Sequence, residues 1–207
     1  DIGSIEIVHK MEDTISTILA TGWNLLSLPV ITDDRSITTL YPSAVTEAFE
    51  YSGSYIPVSS INYHKAYWIK FNNNDTNSHI GIPITSDSLN VAEGWWMISS
   101  LGCPVIVEQM ICNPSPCKIY VFRGVYTSPS VINPGEGFWI KGPVSLSYSC
   151  LKPFESRQSP GTLSQPHSMN KITFIDINGN KSTLFFSDNS GLTQNFELPP
   201  KPPSGSF

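Results

Sequence analysis

Apolar residues along this chain come in short runs, broken every few positions by Gly, Pro, Asn or Ser, and this pattern predicts many short strands joined by tight turns. In Tyr67-Trp68-Ile69-Lys70 and again in Phe138-Trp139-Ile140-Lys141, the two-residue period of a strand puts Trp and Lys on one face. Ile and the leading aromatic fall on the other. Ile5, Ile7 and the stretch from Ile15 to Leu19 read as one or two strands. Near the other end, Ile172 to Ile177 and Ser182 to Phe186 flank Asn178-Gly179-Asn180, a hairpin signal. A single short helix is expected, with Asp34 capping Arg35 to Leu40 and Pro42 stopping it. Pro153, Pro160, Gly161 and Pro166 mark a polar linker. Leu198-Pro199-Pro200-Lys201-Pro202-Pro203 should run as extended polyproline.

The strand pattern is written twice. Gly22-Trp23-Asn24-Leu25-Leu26-Ser27-Leu28 returns 72 residues later as Gly94-Trp95-Trp96-Met97-Ile98-Ser99-Ser100, and each block leads to Pro-Val, at Pro29-Val30 and Pro104-Val105. Phe49 to Tyr55 returns as Tyr120 to Tyr126, and Ile61-Asn62 with Ala66 to Lys70 returns as Ile132-Asn133 with Gly137 to Lys141, both after 71 residues. A nearly constant offset of this kind is the mark of duplicated modules. The expectation is therefore an all-β protein: two homologous small sandwich or barrel-like modules in tandem, an immunoglobulin-like sandwich among the arrangements this allows, followed by a hairpin unit. The expected divisions are an N-terminal strand segment at 1–20, modules at 21–91 and 92–150, a linker at 151–168, the hairpin at 169–198 and the tail at 199–207.

Composition narrows the function. Charged residues make up only 14% of the 207, against roughly 25% in ordinary soluble chains, while hydrophobic residues reach 40%. The net charge of -5 and the lack of any Lys/Arg cluster give no field for holding phosphates, so nucleic acid is not an expected partner. No apolar run approaches the roughly 18 residues a membrane span needs, so no membrane insertion is expected. Nor does a signal pattern open the chain, so a soluble mature chain or a fragment of one is expected. The four cysteines, Cys103, Cys112, Cys117 and Cys150, lack the paired spacing of a zinc site and read as two disulfides formed in an oxidising compartment. Three pairings are open. The favoured one joins Cys112 to Cys117 across Asn-Pro-Ser-Pro and Cys103 to Cys150 across the second module.

Gly22 to Pro29, Tyr51 to Tyr55 and Pro134 to Lys141 together resemble a family of secreted proteins from the Bacteroidetes, Chlorobi and Ignavibacteria lineage. In that family a segment with these Gly-Trp-Asn, Tyr-x-Gly-x-Tyr and Pro-Gly-x-Gly-aromatic-Trp blocks precedes a C-terminal type IX secretion sorting domain. Phe196 to Phe207 is similar to the connector ahead of that domain. The resemblance covers most of residues 15 to 207. It implies export across the outer membrane and display or release at the surface, and it implies no activity. The sorting domain itself does not follow Phe207, as expected if it is removed during export or the chain is truncated. Two positions depart from the pattern: Trp96 stands where the first copy has Asn24, and Asn62-Tyr63-His64-Lys65 replaces the Pro-Gly-x-Gly turn.

Catalysis is hard to build from these residues. His9, His64, His79 and His167 have no ligand or dyad partner at close spacing, so neither a metal nor another cofactor is expected. The acid pairs Glu12-Asp13 and Asp33-Asp34 read as solvated turn residues, although a glycosidase needs two carboxylates across a cleft. Trp68 and Trp139 admit two readings, a stacking platform for sugar rings or a repeated core. Thr14 and Ser88 follow Asp in the pattern used for O-glycosylation of exported proteins of that lineage, and Asn74 and Asn180 open N-glycosylation patterns. The expected product is a non-catalytic extracellular structural or adhesive protein whose partner is itself or cell-surface material. Terminal segments fray unless docked, so assembly by addition of a tail to a neighbouring copy is the sharper form, with packing of both tails on their own chain as the alternative. A carbohydrate-binding module that takes a polysaccharide, or a fragment of an exported hydrolase, are the other readings.

Overall fold

The computed structural model describes residues 11–150, 170–175, 181–186 and 198–203, and most of these lie in antiparallel strands. The first repeat holds β1 (Asp13–Leu19), β2 (Gly22–Ser27), β3 (Val30–Ile31), the one-turn α1 (Ile37–Leu40), β4 (Ala48–Tyr51), β5 (Tyr55–Val58), β6 (Ala66–Phe71) and β7 (Asp75–Pro83). The second holds β8 (Ser86–Ile98), β9 (Val105–Ile106), a 3-10 turn at Val107–Gln109, β10 (Ile111–Asn113), β11 (Ile119–Phe122), β12 (Tyr126–Thr127), β13 (Val131–Ile132) and β14 (Phe138–Ser149). β15 (Asn170–Ile175) and β16 (Lys181–Phe186) pair antiparallel with Ile175 opposite Lys181. The intervening Asn178-Gly179 turn lies outside the described residues. The chain divides into two units, Asp1–Pro153 with Pro199–Phe207, and Phe154–Leu198. No helix among the described residues is long and apolar enough to cross a membrane.

Both repeats use one strand order. The first has the sheet β2-β6-β4-β5, and in the second β8, β14, β11 and β12 are neighbours in the same sequence. Each repeat also has a second ladder: β1 lies on β7 with Leu19 opposite Asp75, in a sheet of its own with β3, and the leading half of β8 lies on the trailing half of β14 with Val91 opposite Val144. The strand ahead of each Gly-Trp block therefore belongs with the repeat that follows it. β1 joins the first repeat instead of standing apart at 1–20, and residues 86–91 join the second instead of closing the first.

The repeats differ in continuity, and one side chain accounts for it. Asn24 is buried, its Oδ1 accepting from the Ala20 N–H at 2.9 Å and its Nδ2 donating to the Ala20 and Gly22 carbonyls at 2.7 and 3.0 Å. An amide that takes over the backbone's own partners lets the chain break between β1 and β2 without leaving buried polar groups unpaired. In the second repeat β8 runs unbroken through the corresponding place, and Trp96 donates its indole N–H to the Ala92 carbonyl at 3.1 Å. The departure from Asn to Trp keeps the donor on the same backbone position of the repeat.

The short helix begins at Ile37, two residues later than expected. Asp34 still organises its start, accepting from the Ser36 N–H at 2.8 Å and the Thr39 hydroxyl at 2.7 Å, and these bonds hold its carboxyl below the usual carboxylate range.

β6 and the leading part of β14, from Phe138 to Gly142, are buried on both faces. Tyr67, Ile69 and Phe71 turn into the first repeat's core with Leu26, Leu28 and Tyr41, and Phe138 and Ile140 turn into the second's with Val105, Val121 and Tyr148. The alternate positions Trp68 and Trp139 face the opposite way, into a third cluster formed between the repeats.

Candidate functional site

The joint between the repeats is built from the two Gly-centred hairpins. Tyr51 pairs with Tyr55 and Phe122 with Tyr126 across three-residue loops whose central Gly53 and Gly124 have φ of 77° and 82°. Glycine adopts this left-handed backbone without the clash a Cβ would bring. The ring pairs lie edge-on, at centroid distances of 5.2 and 5.3 Å. Each hairpin then reaches over to the other repeat's tryptophan, Tyr51 to Trp139 at 5.2 Å and Phe122 to Trp68 at 4.8 Å. Trp23 meets Trp68 at 6.5 Å and Trp95 meets Trp139 at 6.2 Å, with Lys70 and Lys141 each 5.8 Å from the ring centroid of Trp23 and Trp95 respectively.

These contacts come in matching pairs because the repeats face each other about a pseudo-twofold axis. Residues on such an axis meet their own counterparts. Ala66 and Gly137 are counterparts, and a Cβ added to Gly137 would lie 2.4 Å from the Cβ of Ala66. The backbone repeats the relation, with bridges from Leu26 to Glu136 and from Lys65 to Ile98. The turns ahead of β6 and β14 also agree. Gly135 has φ 72°, and His64, at the same place in the first copy, has φ 68° although it is not glycine. Left-handed backbone costs a residue with a Cβ about 1–2 kcal/mol. Here the His64 side chain gains a partner in the other repeat, its Nδ1 lying 2.8 Å from Asp87 Oδ2, where Tyr148 Oη also donates at 3.2 Å.

A proline-rich segment seats on this joint. Pro199, Pro202 and Pro203 are buried, the Tyr126 hydroxyl donates to the Pro200 carbonyl, and the Tyr55 hydroxyl donates to the Lys201 carbonyl and lies 3.4 Å from that of Pro200. Burial pushes both phenols upward, so they stay protonated and act as donors. The fully buried Trp68 and Trp139 indole N–H groups make no hydrogen bond of good geometry, but Trp68 interacts with the Tyr55 hydroxyl and Trp139 with that of Tyr126. Each half of the joint thus presents a tryptophan, a tyrosine hydroxyl and a tail carbonyl in series.

The residues singled out in the sequence fall as follows. Trp68 and Trp139 are both 0% exposed, so neither offers a ring face to a sugar; packing against Phe122 and Tyr51 takes that face. Cys103 is bonded to Cys150 and Cys112 to Cys117, with Cα separations of 5.6 and 5.9 Å. Thr14 and Ser88 are exposed on strands, each with its backbone N–H on the preceding aspartate. Asn74 is exposed and its Oδ1 accepts from the Thr21 N–H, while Asn180, His9 and His167 lie outside the described residues. His79 is buried in the first core against Tyr41. The His64–Asp87 pair escapes sequence reading because its members are 23 positions apart and belong to different repeats.

A cleft of about 510 Å³ opens beside the joint, lined by Thr17, Trp23, Asn24, Phe122, Arg123 and Glu136 among others. Among the described residues Glu136 is the one carboxylate in its lining, and it is held by Arg123 at 2.7 and 2.8 Å and by the Asn133 N–H at 2.9 Å. Among the described residues no second carboxylate lines the cleft to pair with it. Among the described residues no group of three or more His, Cys, Asp or Glu could hold a metal ion.

No protein-family model, curated protein or solved structure matches this chain.

Proposed function

We propose that this is a non-catalytic structural or adhesive protein of the cell surface, exported by a type IX-like route and assembling with itself through its terminal segments. The observation that carries this reading is the joint. The large rings that would make a ligand platform are packed between the repeats instead, with Trp68 and Trp139 fully buried. Rings used this way make a stiff two-repeat body, which a load-bearing or displayed protein needs. The two disulfides fit an oxidising compartment, and the repeated blocks resemble those of exported proteins carrying a sorting domain.

Light scattering and electron microscopy on the full chain test the reading. Concentration-dependent polymers or filaments are the expected result. A chain that stays monomeric up to the highest soluble concentration and adheres to no cell-surface material overturns it. The polysaccharide alternative has lost Trp68 and Trp139 as its platform.

A further inference from the structure

The seated tail has the chemistry of a ligand. Each proline fixes its φ, and the residue before each proline is pushed to extended backbone, so Pro199 to Pro203 is held open before it binds anything. Polyproline backbone makes no internal hydrogen bonds, and its carbonyls are free for an outside donor. The joint supplies such donors at adjacent positions, Tyr126 on the Pro200 carbonyl and Tyr55 on that of Lys201, beside aromatic rings from both repeats. Aromatic surface plus hydroxyl donors to a preformed extended chain is how proline-rich peptides are recognised in general.

We propose that the seam between the repeats is a binding site for a proline-rich segment, and that in the assembled protein its occupant is the Leu198-to-Pro203 segment of a second copy. This deepens the self-assembly reading and rests on it. The argument for the second copy is the tether. The whole of Phe154–Leu198, a unit of its own, lies in sequence between the two-repeat body and the segment that seats on it. A neighbour's tail makes the same contacts without closing the chain across that unit, and loses association entropy in exchange. Exchange therefore conserves every bond and becomes favourable as copies are concentrated on a surface. Because one copy then offers a groove at one place and a tail at another, the contact is head-to-tail and propagates into a polymer.

The test is complementation between two full-length variants. One carries Tyr55→Phe and Tyr126→Phe, which removes both donors and keeps the rings. The other carries serine in place of Pro199, Pro200, Pro202 and Pro203. The wild-type chain is expected to polymerise, each variant alone to stay largely monomeric, and the equimolar mixture to give a 1:1 pair that grows no further. Circular dichroism confirms that both variants are folded. A labelled peptide Leu-Pro-Pro-Lys-Pro-Pro should bind the serine variant, and adding the two tyrosine changes to that variant should weaken it by about tenfold or more. Wild-type polymers with no 1:1 pair in the mixture would overturn the proposal and leave self-assembly standing. A monomeric wild-type chain would overturn both.

Discussion

His79 sits opposite Ile15 on β7, with its ring edge-on to Tyr41 at 4.9 Å and its Nε2 taking a hydrogen bond from Asn77 Nδ2 at 3.0 Å. An accepting Nε2 means the neutral ring, and burial agrees, lowering the pKa from 6.5 to about 4. The consequence has a definite sign. Between those two values the unfolded chain binds the proton and the folded chain does not, so this residue's contribution is complete above about pH 6.5 and is lost as pH falls toward 4. At 1.4 kcal/mol per pH unit the loss is on the order of 3 kcal/mol. Urea unfolding at pH 7 and pH 4.5 should show it. His79→Gln keeps an acceptor for Asn77 and should flatten the difference, and an equally steep fall in the variant would assign the acid sensitivity to other groups. Sequence reading places His79 on a strand but leaves its state open, because Tyr41, whose ring packs against it, comes from the distant end of α1.

At the scale of elements, the disulfides anchor unlike spans. Cys103–Cys150 closes a sequence separation of 47 residues and ties the end of β14 to the loop after β8, while Cys112–Cys117 closes one of 5. Loop-closure entropy gives about 4 kcal/mol for the first and about 2 for the second. Replacing Cys103 and Cys150 with serine should therefore cost more stability than replacing Cys112 and Cys117, as read from denaturant midpoints at fixed slope. Equal losses would defeat the loop-length argument. The pairing was legible because the local pair spans a turn sequence and the long pair spans a repeat. The helix start was less so: Asp34 bonds Thr39 directly, and the first turn forms only after the chain has passed Ser36. The place of β1 was not legible, because its partner β7 begins 56 residues beyond Leu19 and only pairing shows which repeat owns it.

For the whole molecule, the axis between the repeats is the sensitive line. Gly137→Ala puts a methyl group 2.4 Å from that of Ala66 and about 3.0 Å from Leu25 Cγ, and overpacking of this kind costs about 1–3 kcal/mol. Since Ala66 and Gly137 are counterparts, adding Ala66→Gly moves the methyl across the axis, and the double variant should recover most of the loss. Thermal melts of the four proteins make the double-mutant cycle. No recovery would mean that the axis contact is not what Gly137 protects.

The sequence by itself determined the all-β class and the duplication and favoured one of three disulfide pairings, because strand period, repeat offset and turn chemistry are local or self-referential properties of a chain. It also determined that Trp68 and Trp139 share a face with Lys70 and Lys141. Only the tertiary structure decided what that face meets. A period of two tells which side chains point together, but not whether sugar, solvent or the other repeat lies beyond them, and that depends on how two sheets of distant residues turn toward each other. The same holds for Tyr55 and Tyr126. They are legible as hairpin rings, and they become donors to the proline tail only when the fold brings residues 145 and 74 positions apart into contact.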